Sequence, residues 1–124
     1  VLGSEAGMGM IGYADGSFYE GQCASHKARP IRSGFGRMRY ASGDLYEGDW
    51  LSDQRHGKGV MFWADSKEMY TGDFVRGLPE GQGTMNYRNG EVYQGGWLGG
   101  QRHGMGVLTS ETHDEEPERA GSDG

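Results

Sequence analysis

A chain of 124 residues suffices for one small domain or a short repeat array, and its 17 Leu, Ile, Val and Phe residues, about 14% of the total, are too few for an ordinary aliphatic core. Of the formal charge of −6, residues 111–124 supply six acids against Arg119, while the other 110 residues hold 12 acids and 11 bases, a near-neutral body unsuited to gripping a nucleic acid backbone. The single cysteine, Cys23, excludes an internal disulfide and a multi-cysteine zinc site, and the longest apolar run, near residues 60–64, has the length of a strand and not of a membrane span.

In chain order, residues 1–6 carry no pattern and read as a linker or disordered segment. Residues 7–16 open with Gly7-x-Gly9, place Tyr13 four residues after the second glycine, and close on Gly16. Gly7–Gly12 also fits G-x-G-x-x-G, but a dinucleotide site needs a helix to follow, and Tyr13-Ala14-Asp15-Gly16 turns instead. No cofactor is expected. Residues 18–43 then show Tyr19-x-Gly21, Gly34-x-Gly36, Tyr40 and Gly43. The same marks return over residues 45–66 (Tyr46, Gly48, Gly57, Gly59, Trp63), 69–90 (Tyr70, Gly72, Gly81, Gly83, Tyr87, Gly90) and 92–110 (Tyr93, Gly95, Gly104, Gly106). Trp50, Phe74 and Trp97 each stand four residues after their lead tyrosine; Cys23 holds that place in the first copy. These positions take up 17 of the 25 glycines and 11 of the 14 aromatics, so the glycine content signals a periodic fold and not disorder. Residues 111–124 contain no aromatic or large aliphatic side chain and read as an acidic, disordered tail.

Each copy reads as strand, turn, strand. Tyr46-Glu47-Gly48-Asp49-Trp50 alternates with a period of two, which puts Tyr46, Gly48 and Trp50 on one face and the two acids on the other. The polar stretch Leu51–His56 reads as a loop, and residues 59–63 as a second strand with Met61 and Trp63 on one face. Glycine in a strand leaves room for a ring from a neighbouring strand to lie flat on the backbone. The expected fold is therefore all-β: an elongated, single-layer antiparallel meander of hairpins in which tyrosine and tryptophan rings cover glycine ladders.

Tyr-Glu-Gly-Asp-Trp at residues 46–50, followed by Arg-His-Gly-Lys-Gly at 55–59, resembles the MORN (membrane occupation and recognition nexus) repeat. Four copies and a half-copy at residues 7–16 carry the resemblance. It implies a non-catalytic scaffold that binds proteins, with flagellar radial spokes, cytoskeletal rings, junctional membrane proteins, plant lipid kinases and a histone methyltransferase among the family's settings. The chain is accordingly expected to be cytoplasmic and associated with the cytoskeleton, in a cilium or flagellum. The alternatives are a peripheral module for anionic phospholipid such as phosphoinositide, or the regulatory segment of a larger enzyme. The start at Val1 and the lack of a signal-peptide pattern read as an intracellular fragment of a longer protein.

Two surfaces stand out as candidates. Lys27, Arg29, Arg32, Arg37 and Arg39 lie in a stretch, residues 22–40, that has no carboxylate, and form a candidate patch for an acidic partner or lipid. Tyr40, Trp50, Phe62, Trp63, Phe74, Tyr87 and Trp97 form a candidate aromatic groove. His56 and His103 occupy matching loops two repeats apart, too distant to share an ion, and Cys23 with His26 lacks a third partner, so no metal or catalytic residue is expected. The half-copy at residues 7–16 leaves an open edge, which further implies edge-to-edge association as a homo-oligomer or embedding in a larger complex.

Overall fold

A computed structural model describes residues 7–26 and 29–110; the segments 1–6 and 111–124 lie outside the described residues, as does Lys27. Nine strands follow one another: β1 (Met8–Gly12), β2 (Phe18–His26), β3 (Arg29–Arg39), β4 (Leu45–Leu51), β5 (Gln54–Trp63), β6 (Glu68–Val75), β7 (Leu78–Asn86), β8 (Glu91–Leu98) and β9 (Gln101–Ser110). They lie side by side in chain order, each antiparallel to the next, as a single open sheet with no helix among the described residues. The expected meander is the observed one.

The register explains why the spacing of glycines is so regular. Gly9, Gly21, Gly36, Gly48, Gly59, Gly72, Gly83, Gly95 and Gly106 pair in succession, so one glycine from every strand forms a single row across the sheet. Two residues along, a second row alternates tyrosine with an aliphatic or thioether side chain: Ile11, Tyr19, Met38, Tyr46, Met61, Tyr70, Met85, Tyr93 and Leu108. Each tyrosine leans onto the glycine row. A methyl group on Gly36, Gly59, Gly83 or Gly106 would run into the ring of Tyr19, Tyr46, Tyr70 or Tyr93 respectively. Glycine is required at these sites by the ring above them. The four hydroxyls donate to the carbonyl three residues on, at Gln22 (2.7 Å), Asp49 (2.9 Å), Asp73 (2.8 Å) and Gly96 (3.3 Å), so the buried rings leave no donor unpaired.

Trp50, Phe74 and Trp97 act as wedges. Tyr19, Trp50, Tyr46, Phe74, Tyr70, Trp97 and Tyr93 form one chain of edge-to-face contacts with centroids 5.1–5.4 Å apart. Each wedge sits between the tyrosine of its own hairpin and that of the hairpin before. Such pairs contribute about 0.5–1.5 kcal/mol apiece beyond burial, and here they couple every repeat to its neighbour. The Trp50 and Trp97 indoles also donate to the carbonyls of Gly36 (3.2 Å) and Gly83 (3.1 Å) in the preceding hairpin. In the first copy Cys23 holds the wedge position, with its Sγ lying over Gly9 of β1.

The segment Leu51–His56 is a correction to the sequence reading. The chain reverses within Ser52 and Asp53, whose φ values of 49° and 70° are those of a tight two-residue hairpin, and Gln54–His56 already belong to β5. Arg76-Gly77 and Gly99-Gly100 repeat that geometry. The polar composition marks strand ends at the sheet margin and not a loop. In the first copy the extra residues lengthen the hairpin, pairing Ala24 with Ile31, Ser25 with Pro30 and His26 with Arg29.

Ring-on-glycine packing predicts that Gly83→Ala lowers stability by about 1–3 kcal/mol through overpacking, whereas Gly12→Ala, with nothing within 4 Å of the added carbon, changes it little; denaturant midpoints compare the two. Burial pushes the hydroxyls of Tyr19 and Tyr70 up to about 12, from an ordinary value of 10.0, and Tyr46 higher still. The unfolded chain thus releases these protons first, so stability holds below pH 10 and falls as pH rises towards 12. A base titration followed by tyrosinate absorbance is expected to show those rings ionising together with unfolding.

Candidate functional site

The sheet has two unlike faces. One carries the tyrosine row and its wedges, and is closed over by its own side chains. The other carries Glu47, Asp49, Lys58, Thr71 and Asp73 among Phe18, Phe35, Leu45, Val60, Phe62 and Met69, and nothing among the described residues covers it. On this open face a shallow hollow of about 370 Å3 spans β3 to β6, floored by Gly48, Gly59 and Gly72 and walled by Phe35, Val60, Thr71, Glu47 and Lys58. The glycine row that receives the rings on one side thus leaves a trough on the other. Lys58 pairs with Asp73 at 2.5 Å, and this bond with the Gln82 N–H holds the Asp73 carboxyl below the usual range.

The seven residues of the candidate aromatic groove do not lie together. Trp50, Phe74 and Trp97 are buried inside the ring chain. Tyr40, Trp63 and Tyr87 are half-buried on the ring face, packed against that chain from the turn side. Phe62 stands on the opposite, open face, beside Leu45 and Val60. Adjacent residues on a strand point to opposite sides, so Phe62 and Trp63 have no common surface.

Three of the basic candidates are met by acids from the next hairpin. Asp53 accepts from Arg29 Nη1 (2.9 Å), from Arg32 Nε (3.1 Å) and from the Arg32 backbone N–H (2.8 Å). Burial works against the charge on Asp53, but these bonds outweigh it and hold the carboxyl below its usual range. Arg37 lies 3.3 Å from Glu47. Arg39 is exposed and makes no ion pair among the described residues. Lys27 lies outside the described residues.

Arg32 does more than balance charge. Its guanidinium lies over the rings of Trp50 (4.7 Å) and Tyr13 (5.4 Å), and its Nη2 donates to the Asp53 carbonyl (3.1 Å) while its own carbonyl accepts the Asp53 N–H (3.0 Å). Arg55, one repeat on, does the same with Gly77: Nη2 donates at 2.7 Å and the carbonyl accepts at 3.0 Å, with the guanidinium over Tyr40, Tyr46 and Phe74. The third copy substitutes buried Pro79, whose carbonyl still accepts from Gly100 (2.9 Å). In the fourth, Arg102 lies over Tyr87 (5.0 Å) and Tyr93 (4.9 Å). An arginine two residues ahead of Gly-x-Gly therefore clasps the turn of the following hairpin. The pattern Arg32, Arg55, Arg102 is visible in the sequence at that spacing, but its role needs the reversal at Ser52–Asp53, which the sequence reading placed in a loop.

A wedge-and-clasp meander of this kind defines a single-layer β-hairpin repeat protein. The model of the MORN repeat family matches residues 31–45, 46–67, 70–92 and 93–115, and the chain belongs to that family. The first match begins inside the first copy, whose lengthened hairpin departs from the common spacing. MORN repeats commonly mediate protein or membrane-lipid interactions and are generally non-catalytic. No curated protein matches the chain.

The clasp makes a prediction through Asp53→Asn, which keeps the turn geometry because asparagine tolerates positive φ. Asp53→Asn and Arg32→Met are each expected to cost about 1–2 kcal/mol, and the double variant little more than the worse single, in a denaturation cycle. The Asp53 contribution is present above the ordinary carboxylate range and is lost as pH falls through the lowered folded value.

Proposed function

We propose that this chain is a non-catalytic scaffold whose MORN ribbon binds proteins within a cytoskeletal or flagellar, radial-spoke-like assembly in the cytoplasm. The observation that carries the binding role is the open face, where Phe18, Phe35, Leu45 and Met69 are exposed around the glycine-floored hollow. Apolar side chains gathered on one side of a sheet, interleaved with charge of both signs, have the make-up of a protein interface. The cytoskeletal or flagellar setting is drawn from what the resemblance implies. Pairing of Arg29 and Arg32 with Asp53, and of Arg37 with Glu47, offsets part of the positive charge of this patch and so weakens its attraction to an anionic lipid surface, which favours a protein partner.

Crosslinking mass spectrometry on the native assembly tests this reading. Lys58 projects from the open face with its side chain 77% exposed, and crosslinks to partner proteins are expected there. The substitutions Phe35→Glu and Leu45→Glu are expected to remove those crosslinks while shifting stability by about 0.5 kcal/mol or less, as for other surface changes. Partner crosslinks that persist in the double variant, or a chain that crosslinks to no protein and pellets with phosphoinositide vesicles, contradict it.

A further inference from the structure

The last strand carries half of a joint that the chain completes three times elsewhere. At β3–β4, β5–β6 and β7–β8, where a Gly-x-Gly strand is followed by the next hairpin, the follower contributes the same three things; at β1–β2 the wedge position holds Cys23 and no ring. Its glycine extends the glycine row. Its wedge ring packs on the preceding tyrosine, as Trp50 does on Tyr19, Phe74 on Tyr46 and Trp97 on Tyr70. Its turn, seven residues after the lead tyrosine, engages the clasp position: Asp53 at Arg32, Gly77 at Arg55, Gly100 at Pro79.

All three receptors stand ready at β9. Gly106 continues the glycine row, and among the described residues no strand pairs with the outer side of β9. Tyr93 meets one ring, Trp97, where Tyr46 and Tyr70 each meet two. Arg102 already lies over Tyr93 and donates from Nε to the Tyr87 hydroxyl at 2.9 Å; these are the equivalents of Tyr46 and Tyr40, which Arg55 contacts while it clasps Gly77. Met105 and Val107 are 89% and 61% exposed along this strand. Residues 111–124 contain no tyrosine, tryptophan or phenylalanine, so that segment has no ring to offer.

We infer that β9 is a docking edge for a strand of the pattern Tyr-x-Gly-x-aromatic, the first strand of a MORN-type hairpin, supplied by a partner polypeptide. Strand addition provides the backbone bonds. The partner's aromatic ring provides selectivity by wedging onto Tyr93, and its turn residue, seven positions after the tyrosine, closes the Arg102 clasp. A second copy of this chain does not fit. Its own strands of that pattern are each paired on both sides, and the strands left at the two ends of the sheet among the described residues, β1 and β9, are of the Gly-x-Gly type. This inference rests on the reading of the chain as a protein-binding scaffold and names one edge and one class of partner for it.

The test uses the full chain and a fluorescein-labelled peptide with the sequence of residues 44–54, which carries the lead tyrosine, glycine, wedge and turn. Fluorescence anisotropy is expected to show saturable binding, and hydrogen exchange to show new protection confined to residues 102–109. Replacing the peptide's tryptophan with alanine is expected to weaken binding about tenfold or more, a comparison that leaves the chain itself untouched. Arg102→Met, which keeps the packed stem and removes the donors, is expected to weaken it by a similar factor. No binding, protection elsewhere, indifference to both changes, or self-association of the chain through β9 overturns the inference. If the peptide fails while Lys58 still crosslinks to partners, the scaffold reading stands alone; if the peptide binds and no partner crosslinks, the scaffold reading fails by itself.

Discussion

A phenol ring lying flat on a glycine backbone is the contact on which the whole molecule depends. A single sheet has no second layer to bury its side chains against, and ordinarily such a sheet is marginal in water. Here Tyr19, Tyr46, Tyr70 and Tyr93 bury themselves sideways, over the glycines of the partner strand, and the hydroxyl returns to a carbonyl of the tyrosine's own strand. The layer that would normally come from a second sheet is made of rings from the first. In-strand glycine, usually a weakness, becomes the condition for burial.

That arrangement sets the division of labour between the faces. Because the rings, wedges and arginine clasps are all spent on one side, they hold consecutive hairpins in register and leave little for a partner. The opposite side keeps alternating charge and apolar groups with a hollow above the same glycines. A ribbon built this way is stiff along its length through nearest-neighbour contacts, and it displays a continuous surface that varies from one repeat to the next.

Most of this architecture could be read from residues alone. The Tyr-x-Gly and Gly-x-Gly marks gave the strand count, the meander and the ring-over-glycine packing, because a period of two fixes which residues share a face. The candidate sites were less legible. Trp50, Phe74 and Trp97 looked like groove residues because sequence shows that a ring is present but not that two tyrosines flank it. Arg29, Arg32 and Arg37 looked like an uncompensated patch because their carboxylates, Asp53 and Glu47, arrive from the following hairpin. The clasp itself was hidden by the segment Leu51–His56: polar residues at a sheet margin resemble a loop until two consecutive positive φ values at Ser52 and Asp53 shorten the turn to two residues.

The most direct test of ring-on-glycine packing is a denaturation cycle over Tyr46→Ala, Gly59→Ala and the double variant. With the ring in place an added methyl at residue 59 collides with it, so Gly59→Ala is costly on its own. With the ring removed the three atoms nearest the added methyl are gone, and the cost of Gly59→Ala is expected to fall to nearly zero or reverse sign, an interaction energy on the order of 1–3 kcal/mol. Penalties that simply add would mean that tyrosine and glycine contribute independently, and the account of how one layer stays folded would be wrong.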